Sequence, residues 1–319
     1  MAKNTVDGIT EDMKKAMRDF LMDPEKTIDN AGKFLTKVFN ESVEKYTRGD
    51  GPERLYVFGT GHAGVTECYN TCFAIGRNNR FFVTDAGGGN GILKILKDMK
   101  IPLAAISDIF VTHEHTDHII GVIWLVRMLS SVISRGKYQG VLTIHGHGEV
   151  LEKLDALCRL TLGEDIFTKN EGVVVLDRVE DGDLRIINGN EVTFLDIHAK
   201  KVKQFGFSMK LSGGKTLTFL GDEPYDEASR KYVEDCDWLL CEAFCLESES
   251  SIHRPRRAGH STVKQEALIA EENRVKNLVL WHTEDTTLEN RKDRYTQEAQ
   301  TVFSGNVFVP DDREIIILE

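Results

Sequence analysis

The chain has 319 residues, of which 41% are hydrophobic and 29% charged, and its formal net charge is −11. That balance describes an ordinary globular protein with room for a sizeable core, in one large domain or two. The acidic excess argues against broad, sequence-independent affinity for nucleic acid, which rests on neutralising phosphates.

No apolar run is expected to approach the length of a membrane span, and residues 1–7 are not followed by the apolar stretch of a signal peptide. Six cysteines (Cys68, Cys72, Cys158, Cys236, Cys241 and Cys245) are expected as reduced, core or half-buried thiols of a cytoplasmic protein.

In chain order, residues 1–52 read as an N-terminal helical extension. Met13, Met17, Phe20 and Leu21 recur at helical spacing, as do Phe34, Leu35, Val38 and Phe39. Pro24 separates the two helices and Gly49-Asp50-Gly51-Pro52 ends the second. This segment is a candidate cap, substrate entrance or homodimer interface. The main domain is expected over 53–319.

A strand is predicted over 55–59, and a hairpin over 72–75 and 81–84 turns at Gly76-Arg77-Asn78-Asn79. The glycine-rich turn from Asp85 to Gly91 lacks the nucleotide-binding patterns, and Asp85 is a candidate to orient a ligand histidine. Helices are predicted over 92–99, 149–162, 225–233 and 262–273, the last with Thr262 and Gln265 as a capping box. Strands are predicted over 141–144, 192–197, 205–211, 217–220, 238–241, 278–281 and 315–318. Two packed sheets with helices outside them follow from this succession.

The most informative stretch is Thr112-His113-Glu114-His115-Thr116-Asp117-His118. It follows an apolar strand (Ile106, Ile109, Phe110, Val111) and precedes an apolar helix (Ile119 to Val126). Extended chain alternates faces, so His113 and His115 point the same way and Glu114 points away, to a surface role. Asp117 and His118 lie where the helix begins. Such a corner can aim two ligand pairs at two adjacent metals, and imidazole plus carboxylate suits zinc, with manganese or iron as alternatives.

Four more residues stand where strands run out: His198, Asp222 and His282 directly, and His260 before a helix. One site would take His113, His115 and His198. The other would take Asp117, His118 and His282, with Asp222 as a bridge through its two oxygens. His145-Gly146-His147 repeats H-x-H without a following Asp-His and reads as a loop. His62 is a weaker candidate for the site. Arg254, Arg256 and Arg257 precede His260 and invite an anionic substrate.

These residues resemble the metallo-β-lactamase superfamily, and within it the ribonuclease Z branch, whose members cut tRNA precursors. The resemblance runs from about Arg54 to the C-terminus. It rests on the ligand motif, Gly59-Thr60-Gly61, Asn70-Thr71, Gly221-Asp222, Glu242-Ala243-Phe244 and Gly259-His260-Ser261-Thr262. It implies an α/β four-layer αββα sandwich with the N-terminal helical extension, and two divalent metals at one edge. In that branch the histidine matching His260 assists phosphodiester cleavage. The chain lacks the inserted tRNA-gripping arm, since only residues 199–221 lie between His198 and Asp222.

The implied activity is that of a metal-dependent phosphodiesterase. A metal-bridging water attacks phosphorus, Asp117 orients it, and His260 assists the leaving group with Glu242 orienting His260. The expected substrate is a small anionic phosphodiester or RNA. The same metals on this fold also serve carboxylic ester, thioester or lactone hydrolysis, which is the alternative.

Overall fold

The computed structural model describes residues 51–319 apart from 164, 165 and 171. The helical extension expected over 1–52 therefore lies outside the described residues, save for Gly51 and Pro52.

Runs of β-branched and aromatic residues form the first sheet. Its strands are β1 (Arg54–Gly59), β2 (Cys72–Arg77), β3 (Arg80–Thr84), β4 (Ile106–Phe110), β5 (Leu142–Gly146) and β6 (Val174–Arg178), with β14 (Ile315–Ile317) returning from the end of the chain. The order is β14-β1-β2-β3-β4-β5-β6. The predicted hairpin turns at Asn78 and Asn79, whose φ values of 54° and 58° are the left-handed pair a two-residue hairpin needs.

The second sheet holds β7 (Leu184–Ile187), β8 (Asn190–Asp196), β9 (Phe205–Lys210), β10 (Thr216–Phe219), β11 (Trp238–Glu242), β12 (Asn277–Trp281) and β13 (Asn306–Phe308). Its order is β13-β12-β11-β10-β9-β8-β7.

Each sheet has four antiparallel strands followed by three more in parallel. Parallel neighbours need crossovers. Helices α1 (Gly91–Asp98), α2 (Thr116–Ser134) and α3 (Gly148–Leu162) supply them on the first sheet. On the second, α4 (Val263–Glu272) and α5 (Leu288–Ala299) do so. The result is the expected αββα sandwich.

Between the sheets, alternate residues of facing strands interlock as aromatics. Phe73 stacks on Trp281 at 4.9 Å, Phe82 meets Phe207 at 5.3 Å and Phe110 meets Phe194 at 5.0 Å. Truncating one such ring to alanine costs about 3–5 kcal/mol.

Helix α2 is long and apolar enough to cross a membrane by composition, contrary to expectation. Its apolar side is used inside the fold: Ile119, Val122, Leu125, Val126 and Leu129 are buried in the core against the first sheet.

Two other expectations change. The helix predicted over 225–233 is one 3-10 turn, Glu227–Ser229, and the single turn Arg230–Val233. His145 lies within β5 and His147 directly precedes α3, so the second H-x-H is not a loop.

Candidate metal centre

Parallel strands bring their C-terminal ends to one edge, and the ligand candidates gather there. His113 and His115 leave the end of β4 in extended chain. His115 stands at the N-terminus of α2 (φ −62°, ψ 149°), with Asp117 and His118 in the first turn. Asp222 follows β10 past Gly221, and His282 follows β12 with a left-handed φ of 57°. That conformation costs a non-glycine residue roughly 1–3 kcal/mol and is held by its surroundings.

Gly121 lets α2 approach the turn after β3. A Cβ there would lie 1.8 Å from the Ala86 carbonyl, and the Gly121 N–H donates to the Gly87 carbonyl at 2.7 Å. That contact seats the turn bearing Asp117 and His118 beside Asp85.

Two groups result. Asp117, His118, Asp222 and His282, all buried, form one; His113, His115 and Asp222 form the other, so Asp222 belongs to both. Asp222 Oδ2 lies 3.2 Å from His118 Nε2, 3.5 Å from His282 Nε2 and 3.7 Å from His113 Nε2. Asp117 Oδ2 lies 3.2 Å from His118 Nε2. A tetrahedral zinc site with bonds of about 2.0–2.1 Å has ligand–ligand edges of roughly 3.3 Å, so this spacing fits. His118 Nε2 and Asp222 Oδ1 are buried without a hydrogen-bond partner, as ligand atoms are before a cation is counted.

A second ring of contacts sets the imidazoles. His118 Nδ1 lies 2.8 Å from Asp85 Oδ2, and Asp85 also accepts from the Thr112 N–H at 2.9 Å and hydroxyl at 2.7 Å. That carboxylate fixes the Nδ1–H tautomer of His118 and turns Nε2 into the cluster. Thr112 Oγ1 lies 2.9 Å from His113 Nδ1, and Thr71 Oγ1 lies 3.3 Å from His282 Nδ1.

Burial holds His113 well below the usual imidazole range and His282 at about 3, so both are neutral donors at pH 7. Burial would raise Asp222, but His113, His118 and His282 outweigh it and keep the carboxylate ionised. His118 differs: burial lowers it, yet Asp117 and Asp85 overcome that and hold it well above the usual range. A cation bound there takes that proton's place.

His198 is not brought into either group. Strand β8 ends at Asp196, whose carboxylate accepts the His198 N–H at 2.8 Å, and the residue is exposed. It lines a neighbouring cavity together with His260. Glu114 pairs with Lys153 rather than with a ligand. His62 lines the metal cleft, and its Nδ1 accepts from the Gly64 N–H at 3.1 Å.

His260 lies beside the cluster and outside it, its ring centre 5.1 Å from that of His282. It is stacked on Phe244 at 5.0 Å with only 8° between the planes, a contact that periodicity could not reveal. Burial brings its pKa down to about 4, so it is neutral at pH 7.

The expected hydrogen bond from Glu242 is not formed: Oε2 stands 3.6 Å from His260 Nδ1, beyond bonding range. The Glu242 carboxylate instead accepts the Ser261 N–H at 2.6 Å. Burial, with Glu266 nearby, raises Glu242 well above the usual range.

Of the three arginines only Arg256 lines a cavity by the site. Arg254 and Arg257 are exposed on the turn around the short helix Pro255–Ala258. Lys201, which no motif marked, lines both the metal cleft and the neighbouring cavity.

Fold and site together define a metal-dependent hydrolase. The Beta-lactamase superfamily domain matches residues 80–283, and the chain belongs to that superfamily. Within it the chain is similar to ribonuclease Z of Nitrosopumilus maritimus (strain SCM1), 25% identical over 281 residues, 72% of this chain and 88% of that protein. Ribonuclease Z of Bacillus cereus (strain G9842) is 34% identical over 142 residues, which span 44% of this chain and 39% of the relative. The metallo-beta-lactamase fold protein YhfI from Bacillus subtilis aligns with a TM-score of 0.66 at 20% identity, over 83% of this chain and 99% of that one. The short form of human tRNase Z aligns at 0.62 and 18% identity, over the same 83% and 99%. The fold implies a dinuclear divalent-metal site, which the shared Asp222 fits.

Proposed function

We propose that this chain hydrolyses phosphodiesters, through a hydrolase domain over 53–319. One ion would be held by His113, His115 and Asp222, with His198 joining from the rim; the other by Asp117, His118, Asp222 and His282. Zinc suits this mixture of nitrogen and oxygen donors, and manganese or iron(II) could take the same set. Bound there, such ions supply Lewis acidity toward a phosphoryl oxygen and lower the pKa of a water.

The observation that carries the reading is the place of His260, next to the cluster yet not part of it. His260 lines the cleft as a neutral imidazole, which would carry its proton on Nε2. It can then donate to the oxygen of the departing group as negative charge develops there, with Phe244 holding the ring in plane. Asp117, which lines the cleft, would orient the attacking water as well as hold an ion.

The relatives named ribonuclease Z support RNA as one substrate class. The short connection over 199–221 supports a small diester equally, because it holds only β9, β10 and their turn.

The test is an activity panel on metal-loaded protein: bis-p-nitrophenyl phosphate, single-stranded RNA and tRNA precursor against thioesters and lactones. Turnover of the diesters is expected, with little preference for tRNA precursor. Hydrolysis confined to thioesters or lactones would overturn the phosphodiesterase reading.

A further inference from the structure

Beside the metal cleft lies a second cavity of about 290 Å³, lined by His198, Lys200, Lys201, Tyr225, Arg256 and His260 among others. Lys201, Glu223 and His260 line both spaces, so the cavity opens beside the group assigned to the departing oxygen. Its volume is at the low end for small-molecule sites and suits one nucleotide-sized group rather than a folded nucleic acid.

The cavity gathers cations in an acidic protein. Arg185, Arg230, Arg274, Lys276 and Arg294 are each spent on a carboxylate. Among the described residues, Lys200, Lys201 and Arg256 have no carboxylate partner, although all three are exposed at one cavity. Two carboxylates share the lining, Glu223, which accepts the Lys200 N–H at 3.1 Å, and Asp226, which accepts the Ala228 N–H at 2.9 Å, so the three cations outnumber them.

Lys201 is also held in place. Its ammonium donates to the Ala258 carbonyl, and its stem lies over Gly259, where a Cβ would come within 2.6 Å of Lys201 Cε. Gly259 has a φ of 78° as well, so the backbone calls for glycine there. The cation thus stands at the junction of the two spaces.

We propose that this cavity is a subsite for a second phosphate, carried by the departing side of the substrate one sugar away from the bond that is cut. Lys201 and Arg256 bind that phosphate, and Tyr225 flanks the sugar or base. This rests on the phosphodiesterase reading and narrows it. The preferred substrate is a nucleotide chain or a nucleotide diester bearing a further phosphate, rather than a bare diester.

Binding tests this without relying on turnover. Titrating the protein by calorimetry with adenosine 3′,5′-bisphosphate and with adenosine 5′-monophosphate should show the bisphosphate bound about tenfold more tightly, or better. That advantage should shrink severalfold in Lys201→Met and in Arg256→Met. Both residues are exposed, so the fold is not at risk, and a circular dichroism spectrum verifies it.

Equal affinity for the two nucleotides in the wild type would overturn the subsite. So would an advantage that survives both substitutions. Turnover of bis-p-nitrophenyl phosphate, measured on the same preparation, reports separately on the phosphodiesterase reading.

Discussion

Oε2 of Glu242 and Nδ1 of His260 face one another at 3.6 Å, both buried and neither with a hydrogen-bond partner. Burial raises the pKa of Glu242 and lowers that of His260, so a closer approach of the two in the working enzyme would let Glu242 donate to Nδ1. Glutamine at 242 preserves the shape, the acceptor for the Ser261 N–H and a donor toward His260. Glu242→Gln should therefore keep activity within a few-fold and keep the melting temperature. Glu242→Ala leaves that buried N–H unpaired, which costs about 1–3 kcal/mol. Rates and thermal melts of the two variants check this. Equal loss in both would mean that a charged carboxylate is required.

His260→Ala separates acid work from metal work. A positioned acid is typically worth about 10²–10⁴-fold, so natural diesters with alkoxide leaving groups should slow by that range while metal content stays unchanged. p-Nitrophenolate leaves without help, so p-nitrophenyl esters should suffer far less. Equal damage to both substrates would make His260 a phosphate-binding group instead.

Metal content should track the sharing of Asp222. Asp222→Ala should lose most of both ions, measured by elemental analysis after gel filtration, because its carboxylate belongs to both groups. His198→Ala should lose about one ion, on the proposal that the rim imidazole completes the first group. Retention of two ions by His198→Ala would show that group to be closed without it. Removing metal with a chelator should lower the melting temperature, since binding to the native state alone stabilises it.

His145 should matter to stability and not to the centre. Its two ring nitrogens lie 2.8 Å from Asp177 and 3.0 Å from Asp108. Burial lowers its pKa, but the two carboxylates outweigh that and raise it above its ordinary value. A raised folded pKa gives stability that is complete below the unfolded value of about 6.5 and is lost as pH climbs through the folded value. His145→Gln should thus cost about 3 kcal/mol near pH 5.5, in urea denaturation, and visibly less at alkaline pH. A gap that does not change with pH would remove the imidazolium from this account.

The sequence made the strand ends legible because apolar runs stop there and polar residues follow at once. His113, His115, Asp117, His118, Asp222 and His282 all met at one edge for that reason. His198 had the same signature, and even the same left-handed φ as His282, yet it is exposed while His282 is buried in the cluster, a difference that hydropathy does not carry. His145 looked like a loop residue because its two aspartate partners, Asp108 and Asp177, lie on neighbouring strands distant in sequence. Lys201 was missed because a lone lysine carries no spacing to read, and Phe244 was marked only as part of a motif, with no sign that its ring would stack on His260. The αββα layering was legible, whereas short edge strands such as β7 and β13 had too few residues to signal.

The pairing of β1 with β14 has a consequence for biosynthesis. Arg54 and Ile317 are partners in register, yet some 260 residues separate them in the chain. At translation rates of about 5–20 residues per second, β1 emerges on the order of ten to fifty seconds before the strand that covers its edge. Throughout that interval one side of the first sheet is an open template for foreign strands. The nascent protein is accordingly most exposed to misassembly while β2 to β13 are being made, and a chaperone shielding the β1 edge would have its greatest effect in that window.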